Sequence, residues 1–71
     1  MKRYAVVIER AGKNFPAYVP DLPGCVATGK TVAQVQREIA EAIAFHIEGL
    51  RDDGLPVPEP AAIAEYVVAG A

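Results

Sequence analysis

Thr31-Val32-Ala33-Gln34-Val35-Gln36-Arg37-Glu38-Ile39-Ala40-Glu41-Ala42-Ile43-Ala44-Phe45-His46-Ile47-Glu48-Gly49-Leu50 is the stretch whose reading decides the fold. Val32, Val35, Ile39, Ala42, Ile43, His46, Ile47 and Leu50 recur at steps of three and four, so they share one face of an α-helix. Arg37, Glu41, Ala44 and Glu48 fall on the opposite face, the pattern of a helix that covers one side of a sheet. Thr31 and Gln34 have capping-box spacing: the hydroxyl accepts from the Gln34 amide while the glutamine side chain reaches back toward the cap. Asp53-Gly54 ends the helix.

Before this helix the sequence reads as three strands. Tyr4 to Glu9 is β-branched and almost continuously apolar, which predicts a central strand. Ala11-Gly12-Lys13-Asn14 has the length of a turn between antiparallel strands. Phe15, Ala17 and Val19 alternate with Pro16 and Tyr18, giving a second strand with one core face. Pro16 cannot donate to a ladder, so its nitrogen is expected to face away from a neighbour or to sit at a bulge. In Pro20-Asp21-Leu22-Pro23-Gly24, Pro23 and Gly24 suit the central pair of a type II turn. Cys25 to Thr28 forms a short third strand that Gly29 ends.

After the helix, prolines at 56, 58 and 60 forbid both helix and ladder and predict an extended connector. Ile63 to Val68 is then expected to be a last strand. A helical crossover permits parallel pairing, and the open side of the first strand is where the last one fits without displacing a hairpin. The fold class expected is therefore α+β, β-β-β-α-β, with one four-stranded mixed sheet of order 3-2-1-4 and one helix on one face.

Composition narrows the functions. Seventy-one residues make a single domain, 1–71, with a thin core that burial against a second copy or another protein would support. One cysteine and one histidine supply neither an internal disulfide nor a structural zinc site. The apolar run after Met1-Lys2-Arg3 is too short for a signal core or a membrane span, so a cytoplasmic location and no membrane association are expected. Net charge is −2, split between residues 1–30 (5 − 2 = +3) and residues 31–71 (2 − 7 = −5). No dense basic stripe marks a nucleic-acid binder. An acidic second half suits a basic protein partner.

Candidate chemistry is sparse. The β-β-β-α-β order is also the core of the ribonuclease H fold, whose metals need several converging oxygen ligands. Here the first strand offers only Glu9 and the last only Glu65, while Glu38, Glu41 and Glu48 point largely away from the sheet. His46 lies on the helix's apolar face and Cys25 follows a tight turn, and both read as core-facing residues rather than as a nucleophilic pair. Gly24 and Gly29 belong to turns, and Lys30-Thr31 is a cap rather than part of a phosphate loop. No catalytic residue, metal or cofactor is expected. Phe45 lies off the apolar stripe, so it either wraps the sheet edge or is exposed and covered by another subunit.

Tyr18-Val19-Pro20-Asp21-Leu22-Pro23-Gly24-Cys25, then Gly29-Lys30-Thr31 opening a helix, then Ala42-Ile43 and Leu50, then Gly54-Leu55-Pro56-Val57-Pro58, resembles the HicB antitoxin family through nearly the whole chain. The resemblance implies a degenerate ribonuclease H-like domain without nuclease residues. It also implies a partner, a small basic HicA-type toxin of the double-stranded-RNA-binding-domain type that cleaves messenger RNA with one histidine and is blocked sterically. Family members usually continue into a helix-turn-helix or ribbon-helix-helix segment; residues 1–71 contain none, so DNA binding is not expected of them.

The function expected is that of an antitoxin-like protein-binding domain covering the active site of such a toxin. The alternative is a self-associating accessory or ligand-binding domain with no toxin partner. Partner contacts are expected at Tyr18, on the strand face opposite Phe15, Ala17 and Val19, and at Asp21 and Leu22, read as an exposed turn. Phe45 is the expected contact of a homo-oligomer; Pro23, Gly24, Gly29 and Thr31 are read as turn and cap residues.

Overall fold

The computed structural model describes residues 2–70. Its elements are β1 (Val7–Ile8), β2 (Phe15–Tyr18), β3 (Val26–Gly29) and α1 (Val32–Asp52). The strands form one antiparallel sheet of order β1-β2-β3, and α1 lies across one face of it, an α+β arrangement. β1 meets β2 with Val7 opposite Tyr18 and Ile8 opposite Ala17. β2 meets β3 from Phe15 opposite Gly29 to Tyr18 opposite Val26.

Local chemistry explains each turn. Gly12 has φ 62°, and among the described residues none other than glycine has a positive φ, so Gly12-Lys13 carries the positive-then-negative pattern of a II′ hairpin turn. Ala11 and Asn14 exchange both backbone hydrogen bonds across it, at 2.9 and 3.0 Å. Pro23-Gly24 is the expected type II turn: Gly24 has φ 86°, and the Cys25 amide donates to the Leu22 carbonyl at 3.0 Å. Thr31 Oγ1 accepts from the Gln34 amide at 3.0 Å, and Gln34 Oε1 accepts from the Lys30 amide at 2.7 Å, which closes the capping box one residue earlier than the cap itself. At the other end, Gly54 (φ 68°) sends its amide to the Arg51 carbonyl and the Leu55 amide reaches the Leu50 carbonyl, a Schellman stop.

Pro16 departs from expectation. It sits in the middle strand, and its carbonyl accepts from the Glu9 amide at 2.9 Å. In an antiparallel ladder a residue's nitrogen faces the same way as its carbonyl, so the missing donor of Pro16 points at β1 and leaves that rung with one bond. The rung lies next to the hairpin, beside the exposed Glu9.

Ala17, Val19, Leu22, Cys25, Val35 and Ile39 form the fully buried core. Both helix residues in it, Val35 and Ile39, come from the first half of α1. Farther along the same stripe, Ile43, Ile47 and Leu50 are only half-buried, because the sheet is too narrow to reach beneath them.

The expected fourth strand is absent among the described residues. Residues 55–70 carry no regular structure, so the four-stranded sheet of order 3-2-1-4 and its ribonuclease H-like form are not present in the chain by itself. β1, read as central, is an edge strand. The cause is the route of the connector. Tyr4 Oη donates to the Pro58 carbonyl at 2.6 Å, Lys2 pairs with Glu59, and one Asp21 carboxylate oxygen accepts from the amides of Ala61 and Ala62, both at 3.0 Å. The β1–β2 register puts the start of β1 at the same end of the sheet as the Pro20–Gly24 turn. The connector therefore crosses that end of the sheet, from the start of β1 at Pro58 and Glu59 to the Asp21 turn at Ala61 and Ala62, instead of turning alongside β1. Residues 63–70 project as an arm and lengthen the molecule to 48 × 26 × 19 Å.

Gly29 is buried where β3 meets the first turn of α1, and a Cβ there would lie 2.7 Å from the Val35 backbone nitrogen. Gly29→Ala is expected to destabilise the fold by about 1–3 kcal/mol through overpacking against backbone. Gly49, helical and with nothing within 4 Å of a built Cβ, is the contrast: Gly49→Ala is expected to stabilise by about 0.5–1 kcal/mol. Urea midpoints moving in opposite directions for the two variants check both.

Candidate partner interface

Strand alternation divides the sheet. Phe15, Ala17 and Val19 face α1, while Tyr18 and its cross-strand partners Val7 and Val26 form one row on the uncovered face. Tyr18 is 43% and Val26 63% exposed, so the row is an apolar strip with a phenol at its centre. The strip continues around the β3 edge. There a shallow groove of about 640 Å³ is lined by Val26, Ala27, Thr28, Glu38, Glu41, Ala42 and Phe45. Phe45 stands at its rim, 80% exposed.

Two carboxylates, Glu38 and Glu41, line this groove and no lysine or arginine does. A groove that carries Phe45 beside two carboxylates is suited to a partner with an apolar centre and a basic rim. Among the described residues, no three His, Cys, Asp or Glu side chains gather closely enough to share a metal ion. Cys25 is a buried member of the core, and desolvation pushes its thiol above the usual value of 9.0, away from the reactive thiolate. No described helix is long and apolar enough to cross a membrane.

The residues singled out from sequence fare differently. Tyr18 is exposed on the open face, and Phe45 is exposed on the helix. Leu22 is corrected: it is not an exposed turn residue but a core side chain with 0% exposure. The type II turn folds it under the sheet end, and its carbonyl receives the Cys25 amide. Asp21 is half-buried, and its carboxylate is occupied in holding the connector. Pro23 and Gly24 form the turn and Thr31 the cap, whereas Gly29, expected as a turn residue, is the last residue of β3, paired with Phe15 and buried against α1. Glu38 and Glu41, expected to point away from the sheet, are exposed; Val26 is the surface residue that the sequence did not single out. Val26 joins Tyr18 only through the strand register, which the alternation of β2 by itself does not supply.

The profile of the HicB-like antitoxins of bacterial toxin–antitoxin systems matches residues 4–70. A chain of a solved HicA3–HicB3 toxin–antitoxin complex superposes with a TM-score of 0.72 at 37% identity, covering 84% of this chain and 70% of that one. A 14.9 kDa protein from the rep–hol intergenic region of Haemophilus phage HP1 is 36% identical over 64 residues, 90% of this chain and 48% of the phage protein. The chain thus spans about half the length of that relative. A UPF0150 protein of Helicobacter pylori is 41% identical over 49 residues, 69% of this chain and 68% of its own length.

Burial of Cys25 has a measurable consequence. The folded thiol titrates above 9.0 and the unfolded thiol near 9.0, so its contribution to stability is fully present below that pH. It is lost as pH climbs from there through the folded value. Wild type is expected to lose stability more steeply than Cys25→Ala above that point, as read from urea midpoints across the alkaline range. At pH 8 the native thiol is expected to react with a thiol reagent only as fast as the chain opens, and prompt labelling of folded protein would refute its burial.

Proposed function

The chain belongs to the HicB-like antitoxins of bacterial toxin–antitoxin systems, and from that premise we propose that it binds a small basic HicA-type toxin and neutralises its messenger-RNA cleavage by covering the active site. It works in the cytoplasm, in an assembly of more than one copy, and it contributes surface rather than catalysis. The observation that carries this reading is the likeness of the fold to a chain of a HicA3–HicB3 complex. The surface on offer supports it. Tyr18 and Phe45 supply aromatic anchors of the kind that dominate binding energy. Glu38 and Glu41 add charge of the sign that steers a basic partner and rejects an acidic one. Seven acidic residues against two basic ones in residues 31–71 extend that field along the helix.

Steric cover needs no reactive group on the covering protein. It needs rigidity, and Tyr18 has it: the central strand holds it between Val7 and Val26, so little side-chain freedom remains to be lost on binding.

A small basic protein is expected to be encoded beside this chain, and co-expression of the two is expected to restore growth and to yield a co-purifying complex. Tyr18→Ala and Phe45→Ala are each expected to raise Kd by about thirtyfold. Glu38→Gln with Glu41→Gln is expected to slow association and flatten its dependence on salt. Calorimetry and stopped-flow mixing read these quantities. Unchanged Kd in both aromatic variants would remove this face as the toxin-binding surface.

A further inference from the structure

We propose that the free edge of β3 takes up a strand of the basic partner, which extends the sheet and sets basic side chains against Glu38 and Glu41. The partner's identity comes from the antitoxin reading, on which this pairing rests; the edge supplies the way in which that partner is held.

The Val19 amide donates to the Cys25 carbonyl at 3.2 Å, and farther along Ala17 lies opposite Ala27 and Phe15 opposite Gly29. Cys25, Ala27 and Gly29 therefore turn their backbone groups toward β2, and by alternation Val26 and Thr28 turn theirs outward. The Pro16 carbonyl faces β1, which leaves its cross-strand partner Thr28 facing outward as well. β3 ends the sheet, so among the described residues no strand lies beside these donors and acceptors. Sheets ordinarily guard such an edge with a proline, a lysine or a bulge. Val26-Ala27-Thr28-Gly29 contains neither proline nor lysine, and its pairing with β2 runs one to one without a bulge. An edge left open in this way is a template for main-chain pairing.

Side chains select the strand that pairs. α1 starts just past β3 and doubles back over the sheet, so the groove of about 640 Å³ runs along this edge, with Glu38, Glu41, Ala42 and Phe45 on its helix side. Successive residues of an added strand point to opposite faces. Those opposite Val26 and Thr28 extend the open-face row of Val7, Tyr18 and Val26. Those between them enter the groove, where a lysine or arginine meets Glu38 and Glu41 and an apolar residue meets Ala42 and the exposed ring of Phe45. The segment recognised is thus a strand with basic and apolar residues on one face.

Charge rejects the other occupant that an open edge invites, a second copy of this chain. Two β3 edges paired about a twofold axis bring two α1 helices side by side. Glu38 and Glu41 of one copy then face the same carboxylates of the other, with no cation in either groove. Like charges so placed oppose the pairing, whereas a basic strand is drawn in.

Amide hydrogen exchange of the full chain, free at rising concentration and then in complex with the basic protein that co-purifies with it, tests the pairing. In the complex the amides of Val26 and Thr28 are expected to exchange at least about tenfold more slowly, and in the free chain to keep one rate at every concentration. Thr28→Pro removes an outward donor from an edge strand and is expected to raise Kd about tenfold or more. Thr28→Ala keeps the backbone donor and is expected to change Kd by less than about twofold. The wild-type exchange rates decide the matter even where circular dichroism shows the proline variant unfolded. A complex in which Val26 and Thr28 exchange as fast as in the free chain would overturn the strand pairing and leave the antitoxin reading standing. Failure of any basic protein to bind would remove both. Protection of the two amides in the free chain as concentration rises would give the edge to a second copy and overturn the proposal.

Discussion

A helix of 21 residues carries more apolar surface than a three-stranded sheet can cover, and most of what is distinctive in this molecule follows from that mismatch. The first half of α1 is satisfied: Val35 and Ile39 enter the core with Ala17, Val19, Leu22 and Cys25. The second half runs beyond β1 and leaves Ile43, Ile47 and Leu50 half in water. Fully burying a side chain of this size contributes about 1.5–3 kcal/mol, while a small domain's net stability is only about 5–15 kcal/mol. Several half-covered residues are thus a considerable fraction of what the fold has to gain. An arm bearing Ile63, Tyr66, Val67 and Val68 in water has the complementary need.

The connector turns that mismatch into a division of labour. Asp21 is half-buried and spends its carboxylate on two consecutive amides; Tyr4 holds a carbonyl of the proline run. Together they direct the arm away from the edge that it suits. The β1 edge is then uncovered, and the β3 side carries Phe45, Glu38 and Glu41 around its groove, with Tyr18 on the open face of the sheet.

Much of this was legible in the residues. The helix was readable from Thr31 to Gly54 because its apolar period, its capping box and its terminal glycine all agree. Pro23-Gly24 named its own turn type, since few other pairs supply those two φ values. The strands were readable as segments, but their order was not. Tyr4 to Glu9 looks central because it is apolar on both faces, yet it lies at an edge. Apolar composition reports a need for cover and does not say which chain supplies it. Ile63 to Val68 misled for the same reason: its strand-like composition is real, and its intramolecular partner is not. Leu22 was hidden by its setting, because a leucine in a proline–glycine turn reads as exposed until the chain is seen to curl it under the sheet. Tyr18 was visible from simple alternation, whereas Val26 needed the register.

Amide hydrogen exchange along the helix of the free chain tests most directly whether the sheet is too narrow for it. If it is, the Ile39 amide and the β2–β3 ladder exchange only when the whole chain unfolds, while the amides of Ile47 and Leu50 exchange faster through local opening. Amides protected equally from Ile39 to Leu50 would contradict it.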